Sequence, residues 1–427
     1  MSELAGFPYF ELQVDKAGSV VDPAQPKALL EHLAVGDATD LLVMSHGWNN
    51  NIDQARELYQ GFFGALQHLL TDGLVPVGSR RFAVLAVLWP SRKFTDARLI
   101  PGGAASLATT GSVSLLERKL TELKGVFDHP DADALLEQAS ALSPRIASSA
   151  TARAEFADLV RQLPSSRVGH KDDASDRFFR LSGAEAMERL AKPVSPVRLR
   201  RSVGGAAGIG SFIDSVGQAA QNLLNYTTYY QMKERSGLVG RAAVGDLLRR
   251  IQDRARGVRL HLIGHSFGAR LVTAAVLGRE DQPATSFSSL TLLQAAFSHH
   301  GFASQFDGKS DGFFRRVVSE RRISGPTLIT FTANDEAVGL AYPLASLIAG
   351  QNASALGDAH DPFGGLGRNG AQRTPEASFL KLPAVGDSSP YAGGAIHNLN
   401  ADRAIAGHSD ICKPQVAYAL LSSLART

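Results

Sequence analysis

The stretch that decides the fold of this chain covers residues 259–277 and reads RLHLIGHSFGARLVTAAVL. An apolar run enters the segment GHSFG at residues 264–268, and a helix-forming apolar run leaves it. This order predicts a strand, a tight turn and a helix, with the Ser266 hydroxyl directed off the carboxyl end of the strand. Gly264 and Gly268 fit such a turn because a Cβ there would clash with neighbouring backbone. Ser266 is therefore the candidate nucleophile, beside a helix N-terminus that favours developing negative charge.

Short apolar runs closed by turn signals predict further strands, each buried on both faces. These runs lie at residues 39–44, 81–89, 289–294, 327–332 and 394–399, with an extended segment at residues 8–20. Helical spacing of apolar residues covers 51–70, 247–255 and 414–424. The alternation of strands and helices predicts an α/β fold with a mostly parallel central sheet flanked by helices.

That alternation stops between about residues 92 and 231, where the text is helical or irregular. We expect residues 92–225 to form a helical cap inserted into a core of residues 1–91 and 226–427. A glycine-rich apolar stretch at 203–213 lies next to Arg198, Arg200 and Arg201. Two interpretations stay open: a mobile lid that touches a membrane surface transiently, with the arginines on anionic headgroups, or a plain cap that shapes a pocket.

A serine nucleophile needs a general base, and the base needs an acid that orients it. On this kind of fold the three follow in the order serine, acid, histidine, each in a loop after a strand. Asp335 lies three residues past the strand predicted at 327–332, where a loop carboxylate can reach an imidazole. Glu336 is the neighbouring alternative, and Asp335 could instead cap a helix.

Three histidines follow this acid in the chain. His408 comes after the strand predicted at 394–399 and before the terminal helix, which is the usual place of the base. His397 lies inside that strand, and His360 lies in a Gly- and Asp-rich loop close to the acid. We take His408 as the candidate base and keep the other two as alternatives.

Acyl transfer also needs hydrogen-bond donors for the oxyanion. The backbone N–H of the residue after the nucleophile, Phe267, is the first candidate. The second comes from the loop after an early strand, where Ser45-His46-Gly47-Trp48-Asn49-Asn50 follows the predicted strand 39–44. Trp48 N–H is the candidate second donor, and we expect His46 and Gly47 to support this loop.

Three motifs together resemble the α/β-hydrolase superfamily and, within it, a bacterial serine esterase/lipase-like branch. They are Ser-His-Gly-Trp-Asn at 45–49, Leu-Trp-Pro-Ser at 88–91 and Gly-His-Ser-Phe-Gly at 264–268. The resemblance covers residues 1–91 and about 226–427. It implies the α/β-hydrolase fold, with acid and base at Asp335 and His408. It implies no substrate, because this superfamily hosts many chemistries.

Composition limits the kinds of partner and cofactor that we expect for this chain. The net charge of +3 over 427 residues is nearly balanced, which argues against a nucleic-acid partner. Cys412 is the only cysteine, so an intrachain disulfide is impossible. No metal-ligand set and no phosphate-cradling loop are visible, so we expect no cofactor. Without a signal peptide or an apolar run of about 18 residues, the default expectation is a cytoplasmic protein, with signal-less export left open.

The leading hypothesis is a serine hydrolase that cleaves a carboxylic ester, of a small molecule or a lipid, through an acyl-enzyme. Amide or peptide hydrolysis and acyl transfer use the same residues and stay open. So do a non-catalytic binding protein on this fold and an antibacterial effector that attacks membranes. The sequence leaves the oligomeric state open.

Overall fold

One sheet organises the computed structural model, which describes residues 2–48, 50–91, 109–192, 209–281, 285–335, 344–350 and 362–427. Its strands are β1 (Ser2–Leu4), β2 (Phe7–Gln13), β3 (Asp40–Ser45), β4 (Phe82–Leu88), β5 (Arg259–His265), β6 (Ser289–Leu293), β7 (Thr327–Phe331), β8 (Ala377–Lys381) and β9 (Ile396–Asn400). They are ordered β1-β2-β4-β3-β5-β6-β7-β9-β8. Neighbouring strands are parallel except β1 and β2. This is the mostly parallel α/β architecture that the sequence predicts.

α-Helices make up much of the rest of the described chain. They are α1 (Ala24–Val35), α2 (Ile52–Thr71), α3 (Thr109–Glu122), α4 (Ala132–Leu142), α5 (Ala150–Gln162), α6 (Ser175–Arg180), α7 (Gly183–Leu190), α8 (Ile209–Val239), α9 (Gly245–Arg254), α10 (Phe267–Leu277), α11 (Arg315–Ser319), α12 (Leu366–Asn369) and α13 (Pro414–Leu424). No helix within these residues has both the length and the apolar character needed to cross a membrane.

The central strands are continuous apolar runs because both of their faces are covered. All residues of β3, β4 and β6 are buried, as expected for parallel strands between helical layers. On one face, Phe62 of α2 and Leu420 of α13 join Ile263 and Leu293 in a buried apolar cluster. Helix α2 begins with a capping box made by Asn51 and Gln54, which fixes where the chain enters it.

Strand register brings the ends of the strands to one edge of the sheet. Ser45 of β3 pairs with Gly264 of β5, and His265 of β5 pairs with Leu293 of β6. In the same way β7 ends beside β9. The loops that follow β3, β5, β6, β7 and β9 therefore start from the same edge, where ligand sites of open parallel sheets are found.

The chain divides into two compact units. Unit 1 comprises Met1–Lys93, Arg235–Val338 and Gly365–Thr427, and unit 2 comprises Phe94–Glu234 and Gly339–Gly364. This division differs from the expected cap of residues 92–225 chiefly at two points. The junction at which the chain returns to unit 1, at Arg235, lies nine residues later than expected, because Tyr226 donates a hydrogen bond to the Asp173 carbonyl at 3.0 Å and Lys233 pairs with the Asp173 carboxylate. The second is the return of the chain to unit 2 at 339–364.

Unit 2 is mostly helical in its described residues and contains α3 to α7. No strand occurs in residues 109–192 or 209–234. Arg198, Arg200, Arg201 and most of the glycine-rich stretch at 203–213 lie outside the described residues, so the choice between lid and plain cap stays a prediction.

Candidate active site

The turn after β5 holds Ser266 in a strained backbone conformation. Its φ of 58° and ψ of −123° lie in a region that L-residues seldom occupy, and such strain is concentrated at functional sites. A Cβ on Gly264 would lie 2.4 Å from the Ala269 Cα, and a Cβ on Gly268 would lie 2.1 Å from the Ser45 carbonyl oxygen. The prediction that both positions need glycine because backbone approaches closely is confirmed.

Backbone hydrogen bonds from the segment after β6 fix this turn. Ser266 N–H donates to the Leu293 carbonyl at 3.0 Å, and Ala296 N–H donates to the Ser266 carbonyl at 3.1 Å. The two bonds hold both sides of the Ser266 residue while its side chain is left to other partners. The turn can therefore keep its strained geometry, because its surroundings determine it from both sides.

His408 stands between Ser266 and Asp335. Its Nε2 lies 2.8 Å from the Ser266 Oγ, and its Nδ1 lies 2.8 Å from the Asp335 Oδ2. A carboxylate only accepts hydrogen bonds, so Nδ1 carries the proton and Nε2 is left to accept from the serine hydroxyl. Asp335 is fully buried and Ser266 is 4% exposed, whereas the side chain of His408 is 20% exposed. The structure thus brings the three predicted residues together.

The alternative base His397 lies elsewhere in the sheet. Its Nε2 accepts a hydrogen bond from Ala392 N–H at 3.0 Å, and its Nδ1 lies 3.1 Å from the Ser378 hydroxyl. Both ring nitrogens thus have partners other than Ser266. The remaining alternatives, Glu336 and His360, lie outside the described residues.

The loops that carry acid and base are tied together by side chains that the sequence analysis did not single out. The Asp402 carboxylate accepts hydrogen bonds from the Thr332 hydroxyl and from Ala333 N–H, each at 2.8 Å. The Asn334 amide donates to the carbonyls of Asp402 and Ile405 at 3.0 and 2.9 Å. Burial alone would raise the pKa of Asp402, but these hydrogen bonds outweigh it and lower that pKa.

Hydrogen bonds to the Gly47 carbonyl oxygen fix the peptide group between Gly47 and Trp48. The Gly47 oxygen accepts from the His46 Nδ1 at 2.8 Å and from the Asn50 amide at 3.3 Å, and the Ser91 hydroxyl lies 3.0 Å from it. In a trans peptide the N–H points away from the C=O, and the described peptides include no cis bond. Fixing the Gly47 carbonyl therefore fixes the direction of Trp48 N–H.

His46 acts in this loop as a neutral ring. Trp89 N–H donates to its Nε2 at 3.4 Å, which leaves Nδ1 as the donor to Gly47. Burial lowers the pKa of His46 to about 4. The His46 N–H donates to the Tyr59 hydroxyl at 2.9 Å. These contacts tie His46 to its own loop, to Tyr59 and to Trp89, and none of them is with Ser266.

The loop also lies directly against the nucleophile. A Cβ on Gly47 would stand 2.5 Å from the Ser266 Cβ and 3.1 Å from its Oγ. Phe267 is the first residue of α10, and its ring meets the Trp48 ring edge-on with centroids 6.0 Å apart. The two candidate oxyanion donors thus belong to segments that flank Ser266.

A second Asp–His–Ser chain occupies the other end of β5. His261 Nε2 lies 2.9 Å from Asp40 Oδ1, and its Nδ1 lies 2.8 Å from the Ser289 hydroxyl. All three side chains are buried, and Ser289 sits in the regular strand β6. Burial lowers the pKa of His261, which favours the neutral ring. These hydrogen bonds link the amino ends of β3, β5 and β6. Because the three side chains are buried, a substrate has no approach to them.

Metal ligands do not cluster in the described part of the chain, where no group of three or more His, Cys, Asp or Glu side chains could hold an ion. The adjacent pair His299 and His300 is buried, and the Asn369 amide lies 3.2 Å from the His299 Nδ1. These two histidines are therefore part of the packing of the loop after β6.

Comparisons with known proteins found no relative. A scan against protein-family models gave no match, and neither did searches of the curated proteins and of the solved structures. The roles of Ser266, His408 and Asp335 therefore rest on their chemistry and geometry alone.

Proposed function

We propose that this chain is a serine hydrolase of the α/β-hydrolase fold that cleaves carboxylic esters through an acyl-enzyme. The observation that carries the proposal is His408, whose two ring nitrogens lie 2.8 Å from the Ser266 Oγ and 2.8 Å from the Asp335 carboxylate. The three residues follow β5, β7 and β9 in the order serine, acid, histidine, which is the order of this fold. The strained turn at Ser266 supports the same assignment.

In the proposed reaction His408 Nε2 takes the hydroxyl proton as the Ser266 Oγ attacks the ester carbonyl. The carbonyl oxygen becomes an oxyanion, which accepts hydrogen bonds from Trp48 and Phe267 N–H. His408 then returns the proton to the leaving alcohol, and the acyl-enzyme forms. Water attacks that ester with His408 again as base, which releases the acid and restores the Ser266 hydroxyl. Asp335 keeps the Nδ1–H tautomer throughout and stabilises the transient imidazolium.

The environment of Ser266 supports this assignment over the second Asp–His–Ser chain. Ser266 starts a helix, whose N-terminus stabilises negative charge, whereas Ser289 lies within a strand. The side chain of His408 is partly exposed and that of His261 is not. A reacting ester needs both an activated hydroxyl and a path to it, and the helix N-terminus and the partly exposed His408 favour Ser266 over Ser289 on both counts.

The substrate class is the least constrained part of the proposal. Ester cleavage is the leading hypothesis from the sequence, and amide hydrolysis and acyl transfer need the same three side chains. The lipid substrate, the membrane contact through the cap and the cytoplasmic location stay predictions.

Labelling with a fluorophosphonate probe tests the proposal, because such probes react with activated serines. We expect wild-type protein to be labelled at Ser266, as read by mass spectrometry of its peptides. Ser266→Ala should abolish the label, and the matched variant Ser289→Ala should keep it. Circular dichroism of each variant checks that it is folded. Folded wild-type protein without label, or label that persists in Ser266→Ala, would refute the proposed nucleophile.

Turnover of two matched substrates tests whether the protein cleaves esters or amides. We expect hydrolysis of p-nitrophenyl acetate and no comparable cleavage of the matching p-nitroanilide, since the two differ in the bond that breaks. Faster cleavage of the anilide would favour an amidase with the same residues.

A further inference from the structure

His265 is the residue directly before the candidate nucleophile, and it contacts His408, the candidate base. It is 3% exposed. Its Nε2 lies 2.8 Å from the His408 carbonyl oxygen, and the two imidazole rings have centroids 4.9 Å apart at an angle of 41°. The base therefore has two ties to the nucleophile turn: one from its ring to Ser266, and one from its backbone to the preceding residue.

The hydrogen bond to His408 defines the tautomer of His265. A carbonyl oxygen only accepts, so Nε2 must carry the proton and Nδ1 must hold a lone pair. Nδ1 is buried and has no hydrogen-bond partner in the described part of the chain. A Cβ on Gly47 would stand 3.2 Å from it, so the ring fills the space behind the loop of residues 46–48. The ring is buried, and its one hydrogen bond among the described residues is with His408.

The charge state of His265 fits this contact. Burial, and then the charge of His408, lower the pKa of His265 to about 3. Its other charged neighbours have smaller effects: Asp335 raises this pKa and His46 lowers it. A neutral donor suits the position, because His408 becomes a cation during the proposed reaction and a cationic neighbour would disfavour that step.

The loop around His408 needs such a tie. His408 lies in an irregular segment between β9 and α13. Its local bonds are the turn from Asp410 N–H to the Gly407 carbonyl at 3.1 Å and the bond from Ala406 N–H to the Asp410 carboxylate at 3.0 Å. Both are internal to the loop, and the Asn334 bonds to the Asp402 and Ile405 carbonyls join it to the loop after β7. The bond from His265 joins it to the nucleophile turn itself, because His265 and Ser266 are adjacent in the chain.

We propose that His265 is a positioning residue, whose Nε2–H donates to the His408 carbonyl and sets the distance between the base and the Ser266 hydroxyl. The inference rests on the proposed hydrolase function and adds to it a residue that touches no reacting atom. Near-attack geometry is sensitive to displacements of about 1 Å, which can lower the rate roughly 10²-fold. The loss should therefore appear in kcat and not in substrate binding.

Two variants separate the hydrogen bond from the packing of the ring. His265→Phe keeps an aromatic ring and removes the donor, whereas His265→Gln keeps a donor near the Nε2 position. We expect His265→Phe to lower kcat for p-nitrophenyl acetate by roughly 10- to 10²-fold with KM nearly unchanged. His265→Gln should recover most of that loss. Thermal unfolding of each variant shows whether it is folded at the assay temperature.

Nitrogen NMR of protein with labelled histidines gives a readout that does not depend on turnover. The His265 signals should be those of a neutral ring protonated on Nε2, unchanged as the pH falls from about 8 to about 5, since its pKa is far below that range. A ring that titrates near the ordinary pKa of about 6.5, or that is protonated on Nδ1, would overturn the inference.

The kinetic results distinguish a failure of the proposed function from a failure of the role proposed for His265. Wild-type protein without turnover and without probe label would overturn the proposed function, and with it this role of His265. Active wild-type protein whose kcat survives in His265→Phe would overturn the inference alone. Equal losses in His265→Phe and His265→Gln would also overturn it, because ring packing would then explain the effect.

Discussion

Adding a single methyl group at Gly47 should uncouple the oxyanion loop from the nucleophile. In Gly47→Ala the new Cβ would start 2.5 Å from the Ser266 Cβ and 3.1 Å from its Oγ. Carbon atoms in ordinary contact are about 3.5–4.0 Å apart, so either the loop or the serine must move by about 1 Å. Ser266 is held on both sides by backbone hydrogen bonds, and the Gly47 carbonyl is held by His46. Neither can yield without losing one of these contacts.

The expected losses of rate and stability follow from this displacement of about 1 Å. A shift of about 1 Å in a reacting group costs roughly 10²-fold in rate. Overpacking of a tight contact costs about 1–3 kcal/mol of stability. We therefore expect kcat for an ester to fall about 10²-fold in Gly47→Ala, with a lower melting temperature and a protein that still folds.

Gly407→Ala is the matched control. Gly407 lies next to His408, and a Cβ there would have no described atom within 4 Å. Both variants thus add one methyl group beside a candidate active-site residue, but only one of them creates a collision. Steady-state kinetics, the rate of fluorophosphonate labelling at Ser266 and thermal unfolding are measured on wild-type protein and both variants. If Gly47→Ala retained the wild-type kcat and labelling rate, the close approach of the loop to Ser266 would be refuted.

Three further predictions test the surroundings of the site. Asp335→Asn places an amide against His408 and allows the wrong tautomer, so kcat should fall by up to about 10⁴-fold while thermal stability changes little; an unchanged kcat would exclude Asp335 as the acid. Asp402→Ala removes the acceptor of the hydrogen bonds from Thr332 and Ala333, and because Ala333 N–H is exposed to water, each lost bond should cost about 0.5–1.5 kcal/mol in chemical unfolding and kcat should fall; stability and kcat both equal to wild type would contradict this. The pKa of His46 is about 4 in the folded protein, which is below its value in the unfolded chain. The neutral His46 ring therefore contributes its full stabilisation above about pH 6.5, and this contribution is lost as the pH falls towards 4. Urea unfolding should show about 2 kcal/mol less stability from this residue at pH 5 than at pH 7.5, and His46→Gln should lack that part of the loss.

The sequence predicts the central strands and the nucleophile turn because their causes are local. A run such as residues 82–88 is apolar throughout, which only a strand covered on both faces explains at that length. The turn at Ser266 needs glycine on both sides, and the collisions of a Cβ at Gly264 and Gly268 show the reason. The order of the loops then restricts acid and base to a few residues, from which Asp335 and His408 could be chosen.

Edge strands and unit boundaries are harder to predict because their causes are distant in sequence. Strand β8 is mostly exposed at the edge of the sheet and has no continuous apolar run. Strand β1 has three residues and exists through its antiparallel pairing with β2. The junction at which the chain returns to unit 1 depends on contacts of Tyr226 and Lys233 with Asp173, which is more than 50 residues away. No local pattern contains that information.

The same distinction separates the candidate reacting residues from the residues proposed to position them. Ser266, Asp335 and His408 carry side chains whose chemistry restricts their role, so a sequence can nominate them. Asp402 and His265 have ordinary side chains for a loop and a strand end, and their importance comes only from their partners at 333 and 408. The Asn-Ala-Asp run at 400–402, which begins at the last residue of β9, is the one signal that could have drawn attention to Asp402. Because a hydrogen bond across 143 residues leaves no local pattern, the placement of the base had to come from the structure.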